Sequence, residues 1–111
     1  MDLGAFSISL AVGDIRKSLA FYQAFGFEPI GGKIEENWLI LKNGDAKIGL
    51  FQGMFETDTL TFNPRDARGV QAELESQGVT IDTPIAAESG PCHFFLKDPD
   101  GRPVLVDQHN A

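Results

Sequence analysis

The chain has 111 residues and a net charge of −7, with an isoelectric point near 4.6. This length allows one domain, and an apolar fraction of 42% is enough for a hydrophobic core. A face that binds nucleic acid needs clustered lysine and arginine, so the acidic balance argues against nucleic acid as a partner. No apolar run approaches membrane-spanning length, which argues against a membrane partner.

The single cysteine, Cys92, excludes an internal disulfide framework and fits a reducing compartment. It lies between Pro91 and His93 in an apolar run, which indicates a packed thiol and not a reactive one. The segment Met1–Ser9 has no basic region and passes directly into a strand pattern, so no secretory signal is predicted. We therefore expect a cytoplasmic protein.

The first half of the chain begins with a strand and a helix. Phe6–Val12 alternates polar and apolar residues, which is typical of a half-buried strand. Asp14 is a good N-cap, and Gly26, which tolerates the left-handed conformation, is predicted to end the helix. The buried stripe of this helix is predicted to consist of Ile15, Leu19, Tyr22 and Phe25. The strands expected next are Glu28–Ile34, Asn37–Leu41 and Lys47–Gln52, with the Asn43–Gly44 turn between the last two.

The second half repeats this order after the connection Gly53–Asp58. Thr59–Asn63 alternates like the first strand, and Asp66 opens a helix that stops at Gly78, so that cap and terminal glycine are 12 residues apart in both halves. Such a repeat predicts two copies of one unit, each too small to bury its apolar face alone. We expect a single domain of two modules, residues 5–53 and 58–109, which enclose a cleft. The remaining elements are predicted as the strands Val79–Thr83, Cys92–Lys97 and Arg102–Gln108, with a turn at Asp98–Gly101.

Aligning the two halves predicts which strand residues share a face. Ile48, Leu50, Val104 and Val106 are expected to lie under the helices. Trp38 in the first half corresponds to His93 in the second, and Ile40 corresponds to Phe95. On the first and last strands of each module, the residues expected on the opposite, cleft-lining face are Ser7, Ser9, Gly49, Phe51, Thr59, Thr61, Leu105 and Asp107.

Three stretches carry a resemblance to a known superfamily: Leu10–Tyr22 (Leu-Ala-Val-Gly-Asp-Ile-Arg-Lys-Ser-Leu-Ala-Phe-Tyr), Gly26–Phe27, and Asp98–Gly101 (Asp-Pro-Asp-Gly). Together they resemble the vicinal oxygen chelate superfamily, which includes glyoxalase I, bleomycin resistance proteins and extradiol dioxygenases. The ending Val106–His109 is similar to a glyoxalase-like group whose function is mostly unassigned. The resemblance implies an α+β fold in which two βαβββ modules form an open, curled mixed sheet around a cleft, often in a homodimer.

Metal-using members of that superfamily carry ligands at four symmetric places on the first and last strands of the modules. The resemblance carries these places onto Ser7, Gly49, Thr59 (or Leu60 if the register slips) and Leu105. None of these residues offers the carboxylate, imidazole or thiolate that divalent metals need. We therefore predict that the family metal site is lost and that no cofactor is bound.

A displaced metal site remains an alternative. Asp107 and His109 are two apart on one strand and share a face, and the family topology places His93 on the neighbouring strand. With Glu56 as a further donor, such a set suits a lyase, isomerase or dioxygenase. The competing interpretation is that His109 is a frayed terminal residue and that His93 lines a pocket or is hydrogen-bonded. Asp107 is likewise either a general base or cation-binding group, or a solvated carboxylate at a strand end.

The sequence favours a metal-independent protein that binds a small molecule. Two interpretations of Trp38 remain open. It either clamps a flat ligand together with His93, or it belongs to the hydrophobic core. The acidic charge favours a cationic or neutral amphipathic ligand. The predicted aromatic lining of the cleft favours an aromatic one. A third hypothesis is an interaction module that binds a partner or a second copy. The predicted ligand-binding residues are Ser7, Ser9, Trp38, Phe51, Thr59, Thr61, His93, Phe95, Leu105 and Asp107.

Overall fold

A computed structural model describes residues 1–110 and divides the chain into two compact units. One unit comprises residues 7–59, and the other, which we call the 60–110 unit, also includes residues 1–6. Each unit combines strands with one α-helix of ten residues, which is the predicted α+β class. Across residues 1–110, no helix has the length and apolar character needed to cross a membrane.

The 7–59 unit is a four-stranded sheet with one helix. Its elements are residues 7–12 of β1 (Ala5–Val12), α1 (Ile15–Ala24), β2 (Glu28–Lys33), a short 3-10 turn (Ile34–Glu36), β3 (Trp38–Asn43) and β4 (Ala46–Gln52). The strand order is β2-β3-β4-β1, so β2 is the end strand. The β1–β4 pair is parallel and the other pairs are antiparallel.

The boundaries of α1 follow from the predicted start and stop residues. The Asp14 carboxylate accepts hydrogen bonds of 3.1 and 3.3 Å from the main-chain N–H groups of Arg16 and Lys17. Beyond the helix the chain reverses at Gly26, which adopts a φ of +93°, and Phe27 then folds back into the core. The buried side chains of this core are Ile15, Phe27, Leu39, Leu41 and Leu50, with Leu10, Val12, Leu19, Tyr22, Ile34 and Ile48 packed against them.

One residue of the predicted helical stripe is not in the core. The apolar periodicity places Phe25 on the buried side of α1, but its side chain is 71% exposed, so that prediction is wrong. The helix ends at Ala24, one residue before Phe25, and the position that turns back into the core is occupied by Phe27. The ring of Phe25 stacks on the outer side of Phe27, with the ring centroids 6.3 Å apart.

The 60–110 unit repeats the arrangement with fewer strands. Its elements are β5 (Thr59–Asn63), α2 (Ala67–Ser76), β6 (Cys92–Lys97) and β7 (Pro103–Gln108). They follow the order β5-β7-β6, with β5–β7 parallel and β6–β7 antiparallel. Asp66 caps α2 by accepting a 2.9 Å hydrogen bond from the main-chain N–H of Gly69. The buried core consists of Ala67, Val70, Cys92, Phe94 and Val106.

The two cores confirm the predicted strand faces. Ile48 and Leu50 belong to the core of the 7–59 unit, and Val104 and Val106 belong to the core of the 60–110 unit. Cys92 is buried in the second core, which confirms the prediction of a packed thiol. The period-two alternation therefore assigned the inward faces of β4 and β7 correctly.

The predicted strand Val79–Thr83 is wrong. Only Thr83 joins the sheet, through an isolated bridge to Phe95 in β6. The main-chain N–H groups of Asp82 and Thr83 both donate to the Phe95 carbonyl, at 3.0 and 3.1 Å. The next residue is Pro84. Because proline has no N–H group to donate, the β-ladder cannot extend beyond Thr83.

Side chains of α2 hold the segment that follows this bridge. The Arg68 guanidinium donates to the carbonyl of Ala87 through Nε and Nη2, at 3.2 and 2.9 Å, and to the carbonyl of Gly90 through Nη1, at 3.1 Å. The side-chain oxygen of Gln71 accepts a 2.9 Å hydrogen bond from the N–H of Ile85. Side-chain hydrogen bonds thus replace a strand ladder in residues 84–91.

The turn before β7 is organised by Asp98. Its carboxylate accepts hydrogen bonds from the N–H groups of Arg102 and Asp100, at 2.8 and 3.0 Å, and the Arg102 guanidinium lies 3.1 Å away. The Arg102 N–H, helped by its guanidinium, holds the pKa of Asp98 below the ordinary value of 3.8. At pH values above this ordinary pKa, the charged carboxylate therefore stabilises the turn. The contribution is lost as the pH falls through the lowered pKa.

Candidate functional site

The sheet face of the 7–59 unit that is not covered by α1 brings several predicted site residues into register. Ser9 of β1 and Ile40 of β3 both lie beside Gly49 of β4. In the next row, Trp38 of β3 lies beside Phe51 of β4. Neighbours in register point to the same side of a sheet, so these side chains form one continuous surface, which we call the helix-free face.

Aromatic rings cover one end of this helix-free face. The rings of Trp38 and Phe51 are nearly parallel, with centroids 6.2 Å apart and an interplanar angle of 6°. Phe55 meets Phe51 edge-on at 5.0 Å and extends the cluster beyond the end of β4. All three side chains are half-buried, so part of each ring is accessible. Trp38 is absent from the buried core of this unit, and its accessible π surface suits a flat ligand.

The ring of Phe51 also occupies the space next to Gly49. A Cβ atom added at Gly49 would lie 2.5 Å from Cε2 of Phe51 and 3.4 Å from Cδ1 of Ile40. A real Cβ does not approach a neighbour as closely as the first of these distances. Any side chain at position 49 would therefore have to displace the Phe51 ring. The resemblance carries a metal ligand onto Gly49, and the Phe51 ring lies where the Cβ atom of such a ligand residue would be.

The four predicted hydroxyls are buried. Ser7, Ser9, Thr59 and Thr61 are between 2% and 6% exposed. The Thr59 hydroxyl donates a 3.1 Å hydrogen bond to the carbonyl of Thr57, and Ser9 and Thr61 also have partners. Burial leaves these hydroxyls with little surface to offer a dissolved ligand, and their predicted ligand contacts stay a prediction.

The 60–110 unit has an equivalent helix-free face. Leu105 of β7 lies beside Thr61 of β5 and Phe95 of β6. In the next row Asp107 of β7 lies beside His93 of β6. The row containing Leu105 therefore corresponds to the row containing Gly49, and the pairing of Asp107 with His93 corresponds to that of Phe51 with Trp38, as the repeat alignment predicted.

The polar end of this second face contains Asp107 and two histidines. The carboxylate of Asp107 lies 3.5 Å from Nε2 of His109, an ion pair only when that histidine is protonated. The Asp107 carbonyl accepts a 2.9 Å hydrogen bond from the Asn63 side chain, which ties β7 to β5. His93 is exposed and meets the Phe95 ring edge-on at 5.8 Å. This end offers a half-buried carboxylate and two imidazoles to a ligand.

The donors at the family positions do not fit a divalent metal ion. Two hydroxyls, a glycine and a leucine lack the charged or imidazole groups that hold such ions. Within residues 1–110, no three His, Cys, Asp or Glu side chains cluster closely enough to hold a metal. The alternative set of His93, Asp107 and His109 is not assembled as a three-donor group, and only the contact between Asp107 and His109 forms.

The sequence patterns did not predict the role of two glutamines at the ends of β4 and β7. The side-chain oxygen of Gln52 accepts a 2.9 Å hydrogen bond from the N–H of Ile15, the first residue of α1. Gln108 does the same at 2.8 Å for Ala67, the first residue of α2. Each glutamine satisfies a helix N–H that has no partner within the helix. The signal was the same residue at equivalent positions of both halves, directly after Phe51 and Asp107.

The fold defines an α+β protein built from two repeated units, and comparison with known proteins supplies the family. The model of the Glyoxalase/Bleomycin resistance protein/Dioxygenase superfamily matches residues 4–105, so the chain belongs to that superfamily. This confirms the resemblance described above. A search of curated proteins found no match.

Solved structures with the same fold come from several bacteria. A superfamily member from Vibrio splendidus 12B01 is 20% identical, with a TM-score of 0.72 over 93% of this chain and 97% of the other. An NAD-dependent benzaldehyde dehydrogenase from Legionella pneumophila is 16% identical, with a TM-score of 0.76 over 95% and 99%. Methylmalonyl-CoA epimerase from Mycobacterium tuberculosis is 16% identical, with a TM-score of 0.66 over 98% and 88%. At these identities the likeness concerns the fold alone.

Proposed function

We propose that this protein binds a small, flat organic molecule without a metal ion, as a binding member of the glyoxalase and bleomycin resistance superfamily. The observation that carries the proposal is the Phe51 ring beside Gly49. At a position where the metal-using relatives have a ligand residue, this chain has no side chain, and an aromatic ring fills the space. The lack of a side chain at Gly49 leaves room for the Phe51 ring, and that ring supports an aromatic surface on which a flat ligand can stack.

The ligand class follows from the aromatic cluster and the charge of the chain. The half-exposed rings of Trp38, Phe51 and Phe55 offer π faces that stack on planar molecules. Such faces also attract cations, and a net charge of −7 draws cations toward the protein over longer distances. We therefore assign a planar ligand, with cations preferred over neutral molecules. The function is sequestration or sensing, in which no bond is made or broken.

Trp38 makes this proposal measurable, because it is the single tryptophan of the chain. Protein dialysed against EDTA is titrated at pH 8 with N-methylisoquinolinium, a planar cation, and with isoquinoline, its neutral counterpart. We expect saturable quenching of the Trp38 emission by both, with tighter binding of the cation. Phe51→Ala should weaken binding by about tenfold, because a stacked ring is lost. Phe6→Ala removes an exposed ring on a different surface and should leave the affinity unchanged.

The outcomes separate the rival functions. If neither compound quenches Trp38 saturably, or if Phe51→Ala binds as the wild type does, the proposed aromatic surface is wrong. If binding appears only after addition of Mn²⁺, Ni²⁺ or Zn²⁺, the metal-dependent alternative replaces it.

A further inference from the structure

The helix-free face of the 7–59 unit carries two lysines at the end opposite its aromatic cluster. Lys42 of β3 and Lys47 of β4 are register partners, so their side chains stand next to each other, with Cβ atoms about 5 Å apart. Lys42 is exposed and Lys47 is half-buried. Neither ammonium group forms an ion pair within residues 1–110. Because like charges directly opposite each other destabilise a sheet, the fold itself gains nothing from this pair.

The neighbouring carboxylate does not neutralise the two lysines. Glu28 of β2 is the register partner of Lys42 on its other side, yet the two side chains form no ion pair. The second unit treats the equivalent position differently. There Lys97, 55 residues after Lys42, pairs with Asp82 at 3.7 Å. Two adjacent lysines without a counter-charge are therefore a property of the first unit.

The aromatic end of the same face has the opposite charge. The Asp58 carboxylate accepts a 3.0 Å hydrogen bond from the main-chain N–H of Ala11, which lies in the same row of the sheet as the aromatic rings. The lysine beside Trp38 in this row, Lys33, is paired with Glu36 at 3.7 Å. The face is thus polarised, with a carboxylate near the rings and two ammonium groups at the far end.

A row of small and apolar residues connects the two ends. Gly31, Ile40 and Gly49 are register partners across β2, β3 and β4. The two glycines have no side chain, so a molecule lying across this row meets main chain and the Ile40 side chain. Along β3 and along β4, four residues separate the aromatic row from the lysine row, which is a distance of about 13 Å. The face therefore has the length for a ligand with two different ends.

We propose that the ligand stacked on Trp38 and Phe51 carries an acidic arm, a carboxylate or a phosphate, that reaches Lys42 and Lys47. The inference rests on the proposed function, because it extends the same ligand along the same face. Two ammonium groups hold anionic oxygens by charge-assisted hydrogen bonds, and the flexible lysine side chains can both close on one anion. A planar cation with an acidic arm has the polarity opposite to that of the face.

The test compares isoquinolinium ions whose N-alkyl chain ends in a methyl, a carboxylate or a phosphonate group. Binding to EDTA-dialysed protein is followed at pH 8 by quenching of Trp38. When the chain places its end about 10 Å or more from the ring, each acid should bind about tenfold tighter than the methyl-ended compound of the same length. A chain of about 5 Å should give no gain, and high salt should reduce the gain of the longer ones. The larger gain identifies which acid the lysines prefer.

Substitution of the lysines assigns the gain to them. Lys42→Met or Lys47→Met keeps an unbranched apolar side chain and removes the charge, so the tenfold gain should fall to about threefold or less. Methyl-ended compounds should bind as they do to the wild type. Neither variant should melt earlier, because the like-charge contact is relieved. Lys17→Met removes an equal charge from α1, which covers the other face of the sheet, and should retain the full gain.

Two kinds of failure are distinguishable. If methyl-ended compounds bind but the acids bind no tighter at any chain length, the acidic arm is wrong and the proposed function stands. The same holds if the gain survives in the double variant Lys42→Met/Lys47→Met. If no compound quenches Trp38 saturably, the proposed function is wrong, and this inference is wrong with it.

Discussion

Phe94→Ala is expected to lower the free energy of unfolding by about 3–5 kcal/mol, the usual cost of truncating a fully buried phenylalanine. Phe94 is 0% exposed and packs in the core of the 60–110 unit, where Ala67, Val70 and Val106 surround it. Removing the ring loses its apolar burial and leaves a cavity that the surrounding strands and helix cannot fully close. Urea unfolding followed by circular dichroism measures the change.

A matched control comes from the same residue type at the surface. Phe6→Ala removes a ring that is 46% exposed and should cost no more than about 1 kcal/mol. The melting temperature of Phe94→Ala should fall by on the order of 15 °C, against a few degrees for the control. Similar losses in the two variants would mean that Phe94 is not the centre of that core.

Gly49→Val is expected to destabilise the protein by about 2 kcal/mol, because its side chain enters space that the Phe51 ring occupies. The ring must rotate away and lose its contacts with Trp38 and Phe55. Valine is otherwise well suited to a strand, and the glycine it replaces is not. The expected net cost is therefore the collision less this gain in strand preference, and urea unfolding of the purified variant measures it.

A double-mutant cycle isolates that collision. In a Phe51→Ala background the space beside Gly49 is open, so Gly49→Val should become neutral or stabilising. The coupling between the two substitutions should then be about 2 kcal/mol. If Gly49→Val costs the same in both backgrounds, the ring does not fill the place that the resemblance assigns to a metal ligand.

Alternation along the strands was the most reliable guide to the fold. It assigned Ile48 and Leu50 to one core and Val104 and Val106 to the other, because burial on one side of a sheet imposes a period of two on the sequence. The capping residue Asp14 was equally informative, since a carboxylate at that position satisfies N–H groups that a helix leaves free.

Local pattern failed where contacts distant in sequence decide the structure. Val79–Thr83 has an alternating pattern, yet it pairs only at Thr83, because Pro84 stops the ladder and α2 side chains hold the chain beyond it. Phe25 continues the helical stripe, but the turn at Gly26 gives its place in the core to Phe27. The hydrophobic period of a segment predicts which of its faces is buried, but it does not predict the residue at which the helix or strand ends.

The sequence predicted which face of the strands carries the candidate site, but it did not predict the contacts that the side chains make there. The repeat alignment paired Trp38 with His93, and the strand register places them in corresponding rows. No sequence pattern indicates that the Phe51 ring lies over Gly49, because that contact depends on a rotamer. The hydrogen bonds from the helix starts to Gln52 and Gln108 were missed for a similar reason: a glutamine at a strand end usually faces solvent.

Metal content tests the central claim most directly. The protein is purified without a metal-affinity tag, passed through gel filtration in chelator-free buffer, and analysed for Mn, Fe, Ni and Zn by mass spectrometry. If aromatic packing beside Gly49 has replaced the family metal centre, each metal should be present far below one ion per chain, and EDTA should not change ligand binding. A stoichiometric ion that persists through gel filtration, and whose removal abolishes binding, would contradict the account.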